Sequence, residues 1–250
     1  MLEGSTLREL LVAQDEAWRT RPLLRRLYGE WYEEIGARLS DSAGPTIELG
    51  AGIGRFKARF PFTVATDIER TPWADDVADA EALPYEDRSV ANLVLIDVFH
   101  HIPRPARFFD EARRVLAPGG RVLILDPYCS PLSTPAYQLL HEERTDLAGP
   151  GLEDDPSIAS SILASNQARA TVIFFRKLED FRRQWPELGL VERCRFALLL
   201  YPLSGGFSGR RLVPAALSRP LSVLERFLSP LAPLAAFRCL VVLERSQDDR

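Results

Sequence analysis

The stretch PTIELGAGIGRF, residues 45–56, places three glycines at alternate positions directly after a short apolar run. Glycine has no Cβ and tolerates positive φ, so the backbone can bend sharply here and a ligand can approach it closely. A helix predicted over residues 55–60 would offer unpaired backbone N–H groups in its first turn. We therefore expect a nucleotide-like ligand at the end of a buried strand over residues 46–49.

The glycine spacing departs from the dinucleotide-binding pattern. That pattern, G-x-G-x-x-G, uses its third glycine for close helix–strand packing and its helix start to hold a pyrophosphate. Here the spacing is G-x-G-x-G, and Arg55 stands where the third glycine is needed. Glu48, two residues before the first glycine, would repel a diphosphate and suits a ligand with an ammonium group. An NAD-dependent oxidoreductase is disfavoured on both grounds.

Short apolar runs alternate with helical segments through the middle of the chain. The apolar runs are residues 46–49, 62–66, 90–98 and 121–125, and helices are predicted over 55–60 and 105–116. The APGG tetrapeptide that follows the second helix is a helix stop. Near-continuous apolar strands alternating with helices indicate a parallel sheet with helices on both faces. A length of 250 residues suits one large α/β domain.

Three further segments surround this alternating region. Residues 5–39 have helical apolar spacing broken by Pro22, which predicts an N-terminal helical cap at 1–40. A proline- and glycine-rich stretch predicts a lid inserted after the fifth strand, residues 127–170. The sequence from 177 to 203 predicts an amphipathic helix followed by a strand, and an apolar, proline-rich elaboration occupies 200–236. A final strand is predicted near residues 235–246.

Bulk composition excludes several classes of protein. The net charge is −4 and the arginines are scattered, so no basic stripe indicates a nucleic-acid partner. No apolar run approaches the roughly 18 residues of a membrane span, and the first ten residues lack a signal-peptide core. Cys129, Cys194 and Cys239 have neither metal-site spacing nor an even disulfide framework. We therefore expect a cytoplasmic protein with no metal site and no transmembrane segment.

Two more acids stand where ligand contacts are expected. Asp67 closes the second apolar run, where a carboxylate can accept hydrogen bonds from both ribose hydroxyls. NAD-binding folds use the same device, and Asp67 could equally cap a helix. Asp79 lies in a polar turn and could meet an adenine amino group, a role for which Asp75, Asp76 and Glu81 compete.

The segments IELGAGIG, TDIE, ADAEALPYEDRSVANLVLIDVFHHI and EARRVLAPGGRVLILDP, in this order and spacing, resemble class I S-adenosylmethionine-dependent methyltransferases of the small-molecule and ubiquinone-biosynthesis-like branch. The resemblance covers about residues 45–127. It implies an α/β, Rossmann-like, seven-stranded, mostly parallel sheet in which only the last strand is antiparallel. It also implies S-adenosylmethionine as cofactor and S-adenosylhomocysteine as product, in a domain spanning residues 41–250.

The resemblance further implies a cofactor site at the ends of the first strands. The glycine turn would shape the methionine end of the site, with Glu48 near it. Asp67 would bind the ribose and Ile68 would pack on adenine, whose edge would face the next polar turn. The acid after the fourth strand would lie near the amino end of the cofactor. The predicted cofactor-binding residues are Glu48, Gly50, Ala51, Gly52, Gly54, Asp67, Ile68, Asp79, Ala80 and Asp97.

The methyl acceptor is expected beside the FHHI segment, residues 99–102. Methyl transfer from a sulfonium is an in-line displacement, so the protein mainly orients the nucleophile and excludes water. His100 or His101 could take a hydroxyl proton, and Asp126 at the end of the fifth strand could orient the imidazole or bind a substrate hydroxyl. Alternatively, one histidine of the pair is a satisfied structural residue.

The lid and the apolar elaboration allow two interpretations each. The sequence HEERTD, residues 141–146, lacks the second histidine of a zinc motif; it could line a polar acceptor pocket or form a solvated helix end. Residues 200–236 could meet a lipid-linked acceptor at a membrane surface, or supply a core-facing helix and a dimer contact. The polar candidates of the lid are Tyr128, Tyr137, His141, Glu142, Glu143 and Asp146.

These observations predict an O-methyltransferase that acts on a small-molecule or glycan hydroxyl, including a lipid-linked one. The alternative is a relative that keeps the fold and moves no methyl group. Such a protein would be a binding partner, or a cyclase or isomerase that uses the cofactor only as a charge. Neither the acceptor nor the oligomeric state is named by the sequence.

Overall fold

A seven-stranded sheet forms the centre of the chain in a computed structural model that describes residues 7–140, 143–149, 151–159, 164–207, 209, 212–214 and 217–247. The strands are β1 (Thr46–Leu49), β2 (Val64–Asp67), β3 (Asp76–Val77), β4 (Val90–Ile96), β5 (Leu116–Pro127), β6 (Leu188–Phe196) and β7 (Arg238–Arg245). Their order is β3-β2-β1-β4-β5-β7-β6, and only β7 runs antiparallel to its neighbours. The predicted Rossmann-like sheet with an antiparallel last strand is confirmed.

Helices cover both faces of this sheet. Two of them precede it, separated at Pro22, whose missing N–H costs nothing in the first turn of a helix. The helices are α1 (Leu7–Thr20), α2 (Pro22–Gly36), α3 (Arg55–Arg59), α4 (Pro105–Val115), α5 (Ser133–Leu140), α6 (Pro156–Ala159), α7 (Arg169–Thr171), α8 (Leu178–Gln184), α9 (Leu200–Ser204), α10 (Ser218–Phe227) and α11 (Ala232–Ala235). The turns Phe99–His101 and Ser229–Leu231 are 3₁₀-helical, and Val172–Arg176 forms a π-helical turn.

The core is divided between the two faces because successive strand residues point to opposite sides. Leu93 of β4 packs in one cluster with Phe108 and Phe109 of α4. Its neighbour Val94 belongs to the opposite cluster, with Leu24 of α2. The second predicted N-terminal helix therefore packs directly on the sheet.

Two segments differ from their predicted structure. APGG does stop α4, but β5 already begins at Leu116, so the tetrapeptide belongs to the strand. The strand predicted to continue through residue 203 ends at Phe196. Ala197 has a φ of +62°, and the Glu225 carboxylate accepts the backbone N–H groups of Leu198 and Leu200. These contacts turn the chain out of the sheet and into α9.

The lid prediction at residues 127–170 falls on a stretch that the structure partly describes. It contains α5, α6 and the start of α7, joined by loops. Arg144 forms an isolated parallel bridge with Asn166, which ties the two halves of the stretch together. Within the described residues, no helix is both long and apolar enough to cross a membrane.

Candidate active site

The glycine turn after β1 has the backbone that its sequence requires. Gly50, Gly52 and Gly54 have φ values of +66°, +54° and +65°. A Cβ on Gly50 would lie 2.4 Å from the Val98 side chain, so only glycine fits there. A Cβ on Gly52 would lie 3.6 Å from Leu11, which places α1 next to the turn. The ion pair between Asp15 of α1 and Arg55 of α3 holds this helix over the strand ends.

Glu48 lies in β1, just before that turn, and its side chain is almost fully buried. Its Oε2 atom has no hydrogen-bond partner. Burial raises the pKa of Glu48 to about 8, although the backbone N–H of Lys57 acts in the opposite direction. A buried carboxyl with an unused oxygen would be stabilised in its charged form by a cationic ligand.

Asp67, at the end of β2, joins the first two strand ends. Its Oδ2 accepts the backbone N–H of Gly52 at 2.9 Å, and its Oδ1 accepts that of Ile68 at 2.8 Å. Burial raises the pKa of this carboxyl, and the two N–H donors oppose that effect. Ile68 is 44% exposed, which leaves its side chain available to a planar base.

Three of the four competing acids around β3 have different partners. Asp75 binds Lys57 and the backbone N–H of Ala65, and Glu81 pairs with Arg104. Asp79 is exposed, and its Oδ1 accepts the backbone N–H of Glu81 at 2.9 Å. Asp79 therefore has no ion pair in the described residues, and Ala80 next to it is half-buried.

Asp97, one residue after β4, has two partners from distant parts of the chain. Its φ is +58°, and its Oδ2 accepts the Tyr28 hydroxyl hydrogen at 2.6 Å. The buried guanidinium of Arg238 pairs with the other oxygen and lies 5.5 Å and 5.3 Å from the ring centroids of Trp31 and Tyr201. Sequence reasoning missed Tyr28 and Arg238, because no local pattern connects residues so far apart.

His100 and Asp126 form a buried pair across the ends of β4 and β5. The His100 Nδ1–H group donates to Asp126 Oδ1 at 2.8 Å, and Asp126 Oδ2 has no partner. Burial alone would lower the pKa of His100, but the Asp126 carboxylate outweighs it and raises that pKa to about 9. The predicted neighbourhood of these two side chains is present, with Asp126 holding the orientation of the ring.

His101 is held differently from its neighbour. Its Nδ1–H donates to the backbone oxygen of Ala164 at 3.0 Å, and the two imidazole centroids are 4.3 Å apart. Burial and the adjacent His100 lower the pKa of His101 to about 4. The two rings therefore lie side by side with their Nδ1 atoms already engaged.

The polar candidates of the lid make different contacts. Glu143 lies beside the histidine pair, with its Oε2 3.7 Å from His100 Nε2, and accepts a hydrogen bond from Gln167 at 2.6 Å. Tyr137 is buried and donates to the backbone oxygen of Phe237, while Tyr128 packs on Phe175. Asp146 caps the backbone N–H of Ala148, and His141 and Glu142 lie outside the described residues.

Arg169 is a third residue that sequence reasoning missed. Its side chain is fully buried, and its three guanidinium nitrogens lack hydrogen-bond partners. The carboxylate of Asp155 is 3.6 Å away, and burial lowers the pKa of Arg169 to about 10. Only tertiary packing of α7 against the turn Phe99–His101 identifies it, because arginines are common throughout the sequence.

The strand order is that of the class I S-adenosylmethionine-dependent methyltransferase fold, and the middle of the chain matches a methyltransferase family model. The model of the methyltransferase domain family matches residues 47–124, which run from β1 into β5. That match includes the glycine turn, Asp67 and the histidine pair. This part of the chain carries the methyltransferase domain of that family.

Known proteins agree at the level of family and fold. The chain is 31% identical to a ubiquinone/menaquinone biosynthesis C-methyltransferase of Acidiphilium cryptum, over 53% of this chain and 49% of that protein. It is 32% identical to a methyltransferase of Streptomyces halstedii, over 38% of this chain and 42% of that protein. The matches therefore span less than half the length of these curated relatives.

A solved structure shows the same fold over nearly the whole chain. It is an S-adenosylmethionine-dependent methyltransferase of Thermotoga maritima, described as a possible histamine N-methyltransferase, with a TM-score of 0.54 and 14% identity. The match covers 98% of this chain and 100% of that one. At this identity the likeness concerns the fold alone.

The residues present fit S-adenosylmethionine. The orphaned Oε2 of Glu48 suits the cationic end of the cofactor, and the turn at Gly52 lets the cofactor approach the backbone. Asp67 and the exposed Ile68 suit a ribose and an adenine at the neighbouring strand end. When bound, the cofactor supplies an electrophilic methyl group on a sulfonium.

Proposed function

We propose that the protein transfers the methyl group of S-adenosylmethionine to a hydroxyl of a small molecule or glycan. One observation carries the proposal: the ends of the adjacent parallel strands β1, β4 and β5 bring the acids of the cofactor side and the His100–Asp126 pair to one edge of the sheet. Ligands of open α/β sheets bind at such an edge.

The side chains have distinct roles in this proposal. Glu48 balances the positive charge of the cofactor, and Asp67 holds its ribose. Asp97, fixed by Tyr28 and Arg238, lies near the amino end of the cofactor. These contacts orient the methyl group, which is the main contribution of the protein to an in-line displacement.

The acceptor side is built on the other two strand ends. His100 and Asp126 would orient the acceptor hydroxyl, and His101, which is unprotonated at neutral pH, would take up its proton as the oxygen attacks the methyl carbon. The restraint of both imidazoles at Nδ1 supports this, because a fixed ring can hold a substrate oxygen in one position.

A lipid-linked hydroxyl is a further candidate within the same substrate class. Val223, Leu224 and Phe227 of α10 are 53%, 46% and 78% exposed, beside exposed Arg219 and Arg226. Apolar and cationic side chains on one helix suit the surface of an anionic membrane. We propose peripheral membrane contact through this surface, which we call the α10 surface.

Calorimetric titration with S-adenosylmethionine and S-adenosylhomocysteine tests the cofactor assignment. We expect both to bind, and absence of binding at high micromolar concentration would overturn it. Formation of S-adenosylhomocysteine with panels of polyol, phenol and glycan acceptors then tests methyl transfer. Cofactor binding without turnover on any panel would favour a fold relative that moves no methyl group.

A further inference from the structure

Glu143 approaches the histidine pair from a segment 42 residues away in the sequence (143 minus 101). A ligand atom of each of His100, His101 and Glu143 lies within 4.8 Å of those of the other two. Two imidazoles and one carboxylate are a donor set that binds divalent transition metals, including zinc. The local sequence HEERTD gave no indication of this, because its histidine partners come from the end of β4.

The free ring atoms point to a metal rather than to a hydrogen-bonded network. The Nδ1–H groups of His100 and His101 donate to the Asp126 carboxylate and to the backbone oxygen of Ala164. This leaves Nε2 as the ligand atom of each ring. Metal-binding histidines almost always donate their other ring N–H to a carboxylate or a backbone carbonyl, which fixes the tautomer and the ring orientation.

The remaining geometry allows closure around an ion. Two ligands of a tetrahedral zinc ion with bonds of about 2.0–2.1 Å lie about 3.3 Å apart. The Nε2 of His100 and the Oε2 of Glu143 are already 3.7 Å apart. The Glu143 side chain is 26% exposed, so it has room for the small shift that closure needs, whereas the His100 side chain is 4% exposed and fixed.

Local charge also favours a cation. The carboxylates of Asp126 and Glu143 lie 2.8 Å and 3.7 Å from the two ring nitrogens of His100. The buried guanidinium groups of Arg238 and Arg169 are already paired with Asp97 and Asp155. A divalent ion between the two imidazoles and Glu143 would have the carboxylates of Glu143 and Asp126 as its counter-charges.

We propose that His100, His101 and Glu143 bind one divalent transition-metal ion of the zinc type at the acceptor side of the site. Asp126 and the Ala164 carbonyl hold the two imidazoles as its outer contacts. The open coordination position would take the acceptor hydroxyl, so the proposal rests on the proposed methyl transfer for its role. In this proposal the histidines bind the ion, and the ion rather than an imidazole contacts the acceptor hydroxyl.

The transfer step balances without redox change. The acceptor oxygen, held at the open position, would lose its proton to water and form a bond to the methyl carbon. The carbon–sulfur bond of the sulfonium breaks at the same time, and its electron pair stays on sulfur to give S-adenosylhomocysteine. The ion lowers the pKa of the bound hydroxyl and keeps its oxidation state.

Cobalt absorption tests the site directly, with no need for the acceptor. Metal-free protein is titrated with Co²⁺, and we expect one ion per chain with visible d–d bands that Zn²⁺ displaces. Glu143→Gln is expected to weaken Co²⁺ binding at least tenfold. Glu153→Gln, the same change at an exposed position of the same segment, should leave it unaltered. Asp126→Asn should weaken it about 10–100-fold, the usual loss for an outer contact.

The same samples separate the two proposals. S-adenosylhomocysteine binding is measured in parallel by calorimetry, and it also shows that the variants are folded. Cofactor binding without any Co²⁺ bands, or Co²⁺ binding that is equal in wild type and Glu143→Gln, overturns the metal site and leaves methyl transfer in place. Bands that depend on Glu143, without cofactor binding, support the metal site and overturn the proposed function.

Discussion

Glu48 is a buried ionisable residue whose pKa is strongly raised by burial. Its pKa of about 8 lies above its ordinary value near 4.5, so the cofactor-free protein holds a proton there at neutral pH. A cationic ligand beside the carboxyl favours the ionised form and therefore releases that proton on binding. Proton release links cofactor affinity to pH.

The affinity for S-adenosylmethionine should accordingly rise as the pH increases toward about 8. One released proton corresponds to about a tenfold gain per pH unit below that value. Calorimetry in buffers of different ionisation enthalpy measures the proton directly. Glu48→Gln should bind more weakly with a flat pH profile, and adenosine, which lacks the amino-acid part, should show no slope. An equal slope in Glu48→Gln would contradict the assignment.

Glu48 should also shape the stability of the cofactor-free protein. Because its folded-state pKa is raised, the folded protein retains a proton that the unfolded chain releases between about pH 4.5 and 8. The free energy of unfolding should therefore fall as the pH rises through this window, with the full contribution present below it. Urea unfolding of wild type and Glu48→Gln at pH 5.5, 7 and 8 checks this, since the variant should lose less stability.

Asp67 offers a second test at the residue scale. Asp67→Asn should weaken S-adenosylmethionine binding by about 1–3 kcal/mol, because the charge-assisted bonds to the ribose are lost. Asp76→Asn is a matched control, since Asp76 is exposed and its side chain bonds its own neighbour Val77. Calorimetry at one pH compares the two variants. Unchanged affinity in Asp67→Asn would contradict the assignment of Asp67 to the ribose.

Among the elements, β7 has the most consequential single contact. Its first residue, Arg238, pairs with Asp97 after β4, and α2 contributes Tyr28 to the same carboxylate. Breaking a buried ion pair typically costs about 3–5 kcal/mol. The Asp97 side chain is 30% exposed, so its penalty lies at the lower end of that range.

Arg238→Met should therefore lower the free energy of unfolding by up to about 3 kcal/mol. Arg121→Met is the matched control, because Arg121 pairs with Glu244 of β7 at a more exposed position and should cost at most about 1 kcal/mol. Urea unfolding of Arg238→Met, Arg121→Met, Asp97→Asn and the double variant Arg238→Met with Asp97→Asn measures the coupling. Strict additivity of the two changes would rule out the pair as a stabilising unit.

Elements with a strong local pattern were predictable from the sequence. β1 begins and ends where its apolar run does, and Pro22 separates α1 from α2 as expected. The positions of Glu48, Asp67 and Asp97 were predictable because each lies at or next to the end of a strand, and parallel strands end at one edge. Arg238, and the contact of the lid candidate Glu143 with His100, were not predictable because they depend on which distant segments pack together. The prediction that the strand continues after Phe196 was wrong, because the backbone N–H of Leu198 donates to the Glu225 carboxylate instead of to a neighbouring strand.

At the scale of the whole molecule, the α10 surface predicts association with anionic vesicles. Phe227→Asp should reduce co-sedimentation with such vesicles several-fold, because it removes an apolar side chain and adds a repelling charge. Phe62→Asp is the control, since Phe62 is 63% exposed but lies in the turn between α3 and β2. Equal sedimentation of both variants would contradict membrane contact through α10.

The sheet order has a consequence for biosynthesis. β6 leaves the ribosome before β7, yet β7 lies between it and β5. At about 5–20 residues per second, residues 197–237 take about 2–8 s to translate. During that interval no strand lies between β5 and β6. The ion pair between Asp97 and Arg238 cannot yet form. The edges of β5 and β6 that pair with β7 therefore stay unpaired until that strand emerges.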